Sequence, residues 1–285
     1  MEPLLTHLTR QRAREIELLL TTEGIAHRID AEHGRLTLLV APEDALRCES
    51  LIATYDAENR PRPERTWTLA PSWSGFFAAA VILAVFLKTG PLDSLQEPVK
   101  LYAAYSSRIL AGEWYRTLTA LFLHSDWPHL LGNMAGLIIF STGVFQICGD
   151  GVGWFLLLAA SALANAVNAF WFAGMGHISF GASTLVFASA GLLASGGTLK
   201  RLLSHATPWR ALMPLGAGLA ILAFTGVGPG SDVSGHLLGF GFGLGAGVLP
   251  GLIPEKQGPL LQAAGLAVSA LACSLAFFSG QGGAL

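Results

Sequence analysis

The chain has 285 residues, 52% hydrophobic and 13% charged, with a formal net charge of −2 and a mean hydropathy of +0.52. This near-neutral balance, without a basic stripe, excludes a nucleic-acid surface, and three scattered cysteines exclude a disulfide framework or thiolate metal site. Of its 36 charged side chains, 21 fall in residues 1–70; Asp150 is the only one between Asp126 and Lys200, and Asp232 the only one between Arg210 and Glu255. Stretches that long hold several segments of the roughly 20 residues needed to cross hydrocarbon, so the chain reads as an all-α polytopic membrane protein.

Residues 1–66 read as a small soluble α+β domain. The charged run Leu4–Glu23 predicts a helix stopped at Gly24, Ile25–Asp30 and Arg35–Val40 predict two strands around a Glu-His-Gly turn, and Pro42–Asn59 opens a second helix. A two-stranded hairpin is marginal in water, so the helices must cover it or a second copy must pair with it. Arg60-Pro-Arg-Pro-Glu-Arg65 is a stiff basic linker, and residues 67–72 lead to the first span. The first apolar run starts at Trp73, behind a charged domain, and so reads as a signal anchor rather than a cleavable signal peptide.

Seven spans are predicted within residues 73–280, near 73–88, 127–148, 152–173, 181–199, 210–227, 233–252 and 259–279, with 281–285 left as a tail. Pro91–Asp126, rich in Trp, Tyr and Leu, reads as an interfacial, partly inserted element. Basic residues set the orientation. With the N terminus in the cytoplasm, the nine arginines of residues 1–70, Lys200, Arg201, Arg210 and Lys256 all lie inside. Lys88, Lys100, Arg108 and Arg116 then lie outside at the first loop. Spans two, four and six run in the same direction, which brings His129 and Asn133, then Ser183, then His236 to one depth near the outer face.

Polar groups in a bilayer are costly and mark pathways or sites. A serine hydroxyl needs a base to become a nucleophile, and a histidine can take its proton and later return it. Glycines at 235, 239, 243 and 247 put small residues on one helical face, which lets two backbones approach; Ser183, Phe187, Ala190 and Ala194 form the matching face. His129 and Asn133, four residues apart and about 6 Å along a helix axis, offer donors for an oxyanion together with the Ser183 N–H. Interhelical hydrogen bonding is the other use of that pair. Asp232, four residues before His236, reads as a loop-end residue at the interface or as the carboxylate that orients the imidazole. No His-Glu-x-x-His signature accompanies His124, His129, His177 and His236, so no metal or other cofactor is expected.

These residues resemble the rhomboid family of intramembrane serine proteases. The resemblance covers roughly residues 73–279 and rests on Gly112-Glu-Trp-Tyr-Arg116 leading into Leu121-Phe-Leu-His124, then His129-Leu-Leu-Gly-Asn133, Gly181-Ala-Ser183, and His236-Leu-Leu-Gly239 with Gly243 following. It implies a rhomboid-like bundle of about seven transmembrane helices and a Ser183/His236 dyad, with His129, Asn133 and the Ser183 N–H on the oxyanion. It further implies Phe187 packed on the histidine, supporting places for Gly181, Gly239, Gly243 and His124, and a first loop that sits half-embedded in the outer leaflet through Trp114 and Arg116. Single-span membrane proteins in the lipid bilayer are the implied substrates and a bacterial inner membrane the expected location. A rhomboid-like protein that binds or dislocates helices without cutting is the alternative. The family usually has glycine after the serine where this chain has Thr184; a branched side chain there can crowd the backbone donor or stiffen the helix start, so activity is expected to be retained with altered rate or specificity.

Overall fold

The computed structural model describes residues 1–32, 35–59, 72–203, 207–227, 231–252 and 258–282. The basic linker at 60–65, the tip of the Glu-His-Gly turn and Lys256 lie outside the described residues. The chain forms two compact units, Met1–Trp67 and Thr68–Leu285.

In the first unit, strand β1 (Glu2–Leu8) precedes helix α1 (Arg10–Thr22), the hairpin β2 (His27–Glu32) and β3 (Arg35–Val40), and helix α2 (Ala45–Glu58). The helix expected from Leu4 therefore begins only at Arg10, and residues 2–8 are a strand. Thr9 explains the boundary: its hydroxyl accepts the Arg12 N–H and caps the helix. The strand so released pairs antiparallel with β3, giving the order β1-β3-β2. The marginal hairpin is thus completed by a third strand of the same chain. Ile16 and Leu20 of α1 and Cys48 and Ile52 of α2 close over Leu38 and Val40 to form the core.

Among the described residues the second unit is mainly helical, and seven long helical segments match the predicted spans in position. They are α3 (Ser74–Thr89); α7 (Trp127–Gly136) continued through a π-helical turn (Leu137–Ser141) into α8 (Thr142–Cys148); α9 (Asp150–Trp171); α10 (Ser183–Leu203); α11 (Pro208–Thr225); α12 (Val233–Leu252); and α13 (Pro259–Gly282). Among the described residues, three helices are long and apolar enough to cross a membrane, Trp127–Cys148, Asp150–Trp171 and Pro259–Gly282, with Ser74–Thr89 and Val233–Leu249 apolar but shorter. Helix α10 needs no lipid-facing sequence, because residues 184–192 are buried by other helices. Gly149, at φ 75°, makes the sharp turn between α8 and α9. There the Gln262 side chain of α13 accepts the Gly151 N–H and donates to the Cys148 carbonyl, both at 2.8 Å.

The loop after α3 folds into short elements of its own. It contains α4 (Glu97–Tyr102), β4 (Ala104–Tyr105), α5 (Ser106–Leu110) and α6 (Arg116–Thr119). Arg116 is fully buried, donating to Glu113 Oε2 at 2.6 Å and to the Ala103 carbonyl at 3.0 Å, with its guanidinium over the Tyr105 and Tyr115 rings. Trp114 stays about half exposed, tilted against Phe170. Strand β4 pairs with β5 (Ile178–Ser179), which leads directly into Ser183, so the loop anchors the approach to the site.

Candidate active site

Three helix starts meet at one place. Asp126 caps α7, its Oδ1 accepting the His129 N–H at 2.8 Å; α10 begins at Ser183; and Asp232 caps α12, its Oδ1 accepting the Gly235 N–H at 3.0 Å. Each start brings polar side chains to this point.

Ser183 Oγ lies 2.8 Å from His236 Nε2, and His236 Nδ1 lies 2.8 Å from the Gly226 carbonyl. A carbonyl oxygen only accepts, so Nδ1 carries the ring proton and Nε2 presents its lone pair to the serine, which donates. The Phe187 ring packs on the imidazole with centroids 4.6 Å apart. His236 itself is buried.

The close approach of α10 and α12 is made by glycine, as expected, but α10 meets it with a different face from the one expected. A Cβ on Gly239 would stand 2.6 Å from the Thr184 carbonyl oxygen, while those on Gly243 and Gly247 would overlap the Ala188 and Leu192 carbonyls. From the other side, Gly191 meets the Phe240 carbonyl. Gly235 takes no part, since it faces the Asp232 carboxylate. Phe187, Ala190 and Ala194 instead pack with Phe240 and with α11. The 3.6-residue period explains the shift: positions 184, 188 and 192 lie about 100° round the axis from 183 and 187. Thr184 turns into this seam. Its hydroxyl lies 3.4 Å from Asn165 Oδ1 and its methyl against Gly239, so the space for the branched side chain is provided by the opposing glycine.

Gly181 has φ 135° and its N–H donates to the Ala120 carbonyl at 2.9 Å. A Cβ there would stand 2.6 Å from His129 Cε1 and Nε2 and 3.7 Å from Asn133 Nδ2, so both side chains converge over the peptide leading to Ser183. Asn133 is buried, and among the described residues its Nδ2 has no hydrogen-bond partner. An orphaned amide donor in a buried site is costly unless something accepts from it during function. His124, also buried, accepts the Ala182 N–H at 3.4 Å through Nε2. Burial pushes its imidazole down to about 3, which keeps it neutral and able to accept.

Asp232 does not orient His236; that role falls to the Gly226 carbonyl. Its carboxylate instead accepts from Asn168 Nδ2 at 2.9 Å and Ser234 Oγ at 2.8 Å and faces His177 Nε2 at 3.3 Å, tying α9 to α12. Burial alone would raise Asp232, yet the hydrogen bonds from Ser179, Gly235 and Ser234 hold it below the usual carboxylate range. Sequence reasoning missed Gly226, Asn165 and Asn168. The asparagines had a signal, two amides three apart in an apolar span, whereas Gly226 acts through its backbone and left none.

Residues 111–251 match the family described as Rhomboid domain. The chain is similar to the "Rhomboid protease GluP" of Bacillus subtilis, 31% identical over 125 residues that cover 43% of this chain and 24% of that protein. It is also similar to the "Rhomboid-type serine protease 2" of Emericella nidulans, 27% identical over 153 residues, 51% of this chain and 29% of that protein. The chain thus spans less than a third of the length of either relative.

Proposed function

Given that this integral membrane protein belongs to the rhomboid family, we propose that it is an intramembrane serine endopeptidase that works through Ser183 and His236. One observation carries the reading: the 2.8 Å contact in which His236, its Nδ1 already committed to Gly226, turns its lone pair to the Ser183 hydroxyl. In this reading Ser183 Oγ attacks the scissile carbonyl as Nε2 takes its proton. The tetrahedral oxyanion receives hydrogen bonds from the Ser183 N–H, Asn133 Nδ2 and His129. His236 then protonates the leaving amine, and water, activated by the same imidazole, releases the acyl group.

The substrates proposed are single-span membrane proteins. Their helices must unwind at the cut, because the carbonyls of an intact helix are committed to backbone bonds. From the distribution of basic residues, the N-terminal unit is cytoplasmic and the dyad opens toward the outer face. The test is cleavage of a model transmembrane substrate by purified protein, with Ser183→Ala and His236→Ala alongside. Cleavage by wild type alone is expected. Equal cleavage by all three refutes the dyad, and a folded wild type that cuts nothing across a broad substrate panel favours the reading in which the protein binds helices without cutting.

A further inference from the structure

One donor in this site lacks a proton in its neutral form. Asp126 Oδ2 accepts the Ser125 hydroxyl at 2.6 Å, and Ser125 Oγ lies 3.1 Å from His129 Nδ1. A hydroxyl has one proton. Given to the carboxylate, it leaves Oγ as an acceptor, so His129 Nδ1 must donate to it. In the neutral ring Nε2 is then a bare lone pair, and Nε2, together with Cε1, faces Gly181. A lone pair there would repel an oxyanion. His129 donates toward the oxyanion only when Nε2 takes up a second proton from solvent, and the resulting cation ends a chain of hydrogen bonds, Nδ1–H to Oγ–H to Oδ2, on a full carboxylate.

We propose that Asp126, acting through Ser125, is a positioning residue that supports His129 as a cationic oxyanion donor. The proposal rests on the protease reading above and adds to it a requirement for charge outside the dyad. Asp126 is suited to the task because the Ser125 hydroxyl, and then the His129 N–H, hold its carboxyl below the usual range. It is therefore anionic at neutral pH. Of the other titratable groups that face His129 among the described residues, His124 lies ring to ring at 5.1 Å and is neutral, and His236 faces it from α12 as a base. Burial of the ring works against a positive charge, so Asp126, the anion beside it, is what a cationic His129 depends on.

The experiment compares the full chain with Asp126→Asn, Ser125→Ala and Ser125→Thr. Asparagine still caps α7 but removes the charge. For Asp126→Asn and Ser125→Ala, kcat is expected to fall about tenfold or more with KM unchanged. The alkaline limb of the kcat profile should move to lower pH, because Nε2 loses its proton sooner. Ser125→Thr, which keeps the hydroxyl, should restore most of the rate. Wild-type kcat and an unmoved alkaline limb in Asp126→Asn would overturn the relay, as would a loss that only tracks a lowered unfolding temperature. The ¹⁵N signals of His129 give a readout independent of turnover: Nδ1 should be the protonated nitrogen of the neutral ring, and a ring protonated at Nε2 instead refutes the proposal. A wild type no more active than Ser183→Ala sinks the protease reading, while the ¹⁵N result still decides the relay.

Discussion

Gly243 separates the packing that builds the site from the chemistry done there. A Cβ at this position would overlap the Ala188 carbonyl oxygen and lie 2.8 Å from Ala188 C and Cα. Carbon atoms in contact sit about 3.5 Å apart, so Gly243→Ala must part α10 and α12 by at least about 0.7 Å. The neighbour is backbone, which cannot rotate away. Transmitted along the helices, the same displacement takes the 2.8 Å Ser183–His236 contact to about 3.5 Å, past a useful hydrogen bond. We expect overpacking to cost about 1–3 kcal/mol and kcat/KM to drop by about 10- to 100-fold. Gly241 is the internal control: it is exposed, and a Cβ there meets nothing within 4 Å. Gly241→Ala should keep full activity and gain roughly 0.5–1 kcal/mol from helix propensity. Thermal unfolding and substrate cleavage, measured on both variants in the same detergent, decide the matter. Equal effects of the two substitutions, or a Gly243→Ala protein that unfolds and cuts like wild type, would refute the reasoning.

Two further outcomes follow from the same geometry. Thr184→Gly should leave a working protease, with stability reduced by about 1–2 kcal/mol from the lost packing against Gly239 and the lost hydroxyl contact with Asn165; complete loss of cleavage in a folded variant contradicts this. In the first loop, burial raises Glu113, but hydrogen bonds from Arg116 and Tyr115 hold its carboxyl below the usual range. Its folded value is thus below its unfolded one, so its stabilisation is present above about pH 4.3 and is lost as pH falls through the folded value. Unfolding temperature should decline over that window in wild type and less in Glu113→Gln, and parallel curves for the two proteins would argue against the Arg116–Glu113 pair as the source.

The spans were legible because hydrocarbon imposes a simple demand on sequence, about 20 residues with almost no charge, and the stretches around Asp150 and Asp232 meet it visibly. Ser183, His236, His129 and Asn133 stood out for the same reason: polar chemistry in an apolar setting is rare. Residues 2–8 were misread because seven residues of mixed polarity carry no reliable period, and only the edge of β3, supplied from residues 35–40, makes them a strand.

Sequence alone therefore determined which segments are long and apolar, that glycines allow two of them to meet, and which side chains have the functional groups for proton transfer. Tertiary structure decided which helix faces meet, turning Thr184, Ala188 and Leu192 toward the glycines and leaving Gly235 out. It also decided what holds each imidazole, a Gly226 carbonyl for His236 and a serine–aspartate pair for His129. The physical reason is that composition and period are local properties of the chain, whereas the partner of a ring nitrogen is fixed by atoms that arrive from loops and helices distant in sequence. A backbone carbonyl carries no residue type by which it can be read in advance.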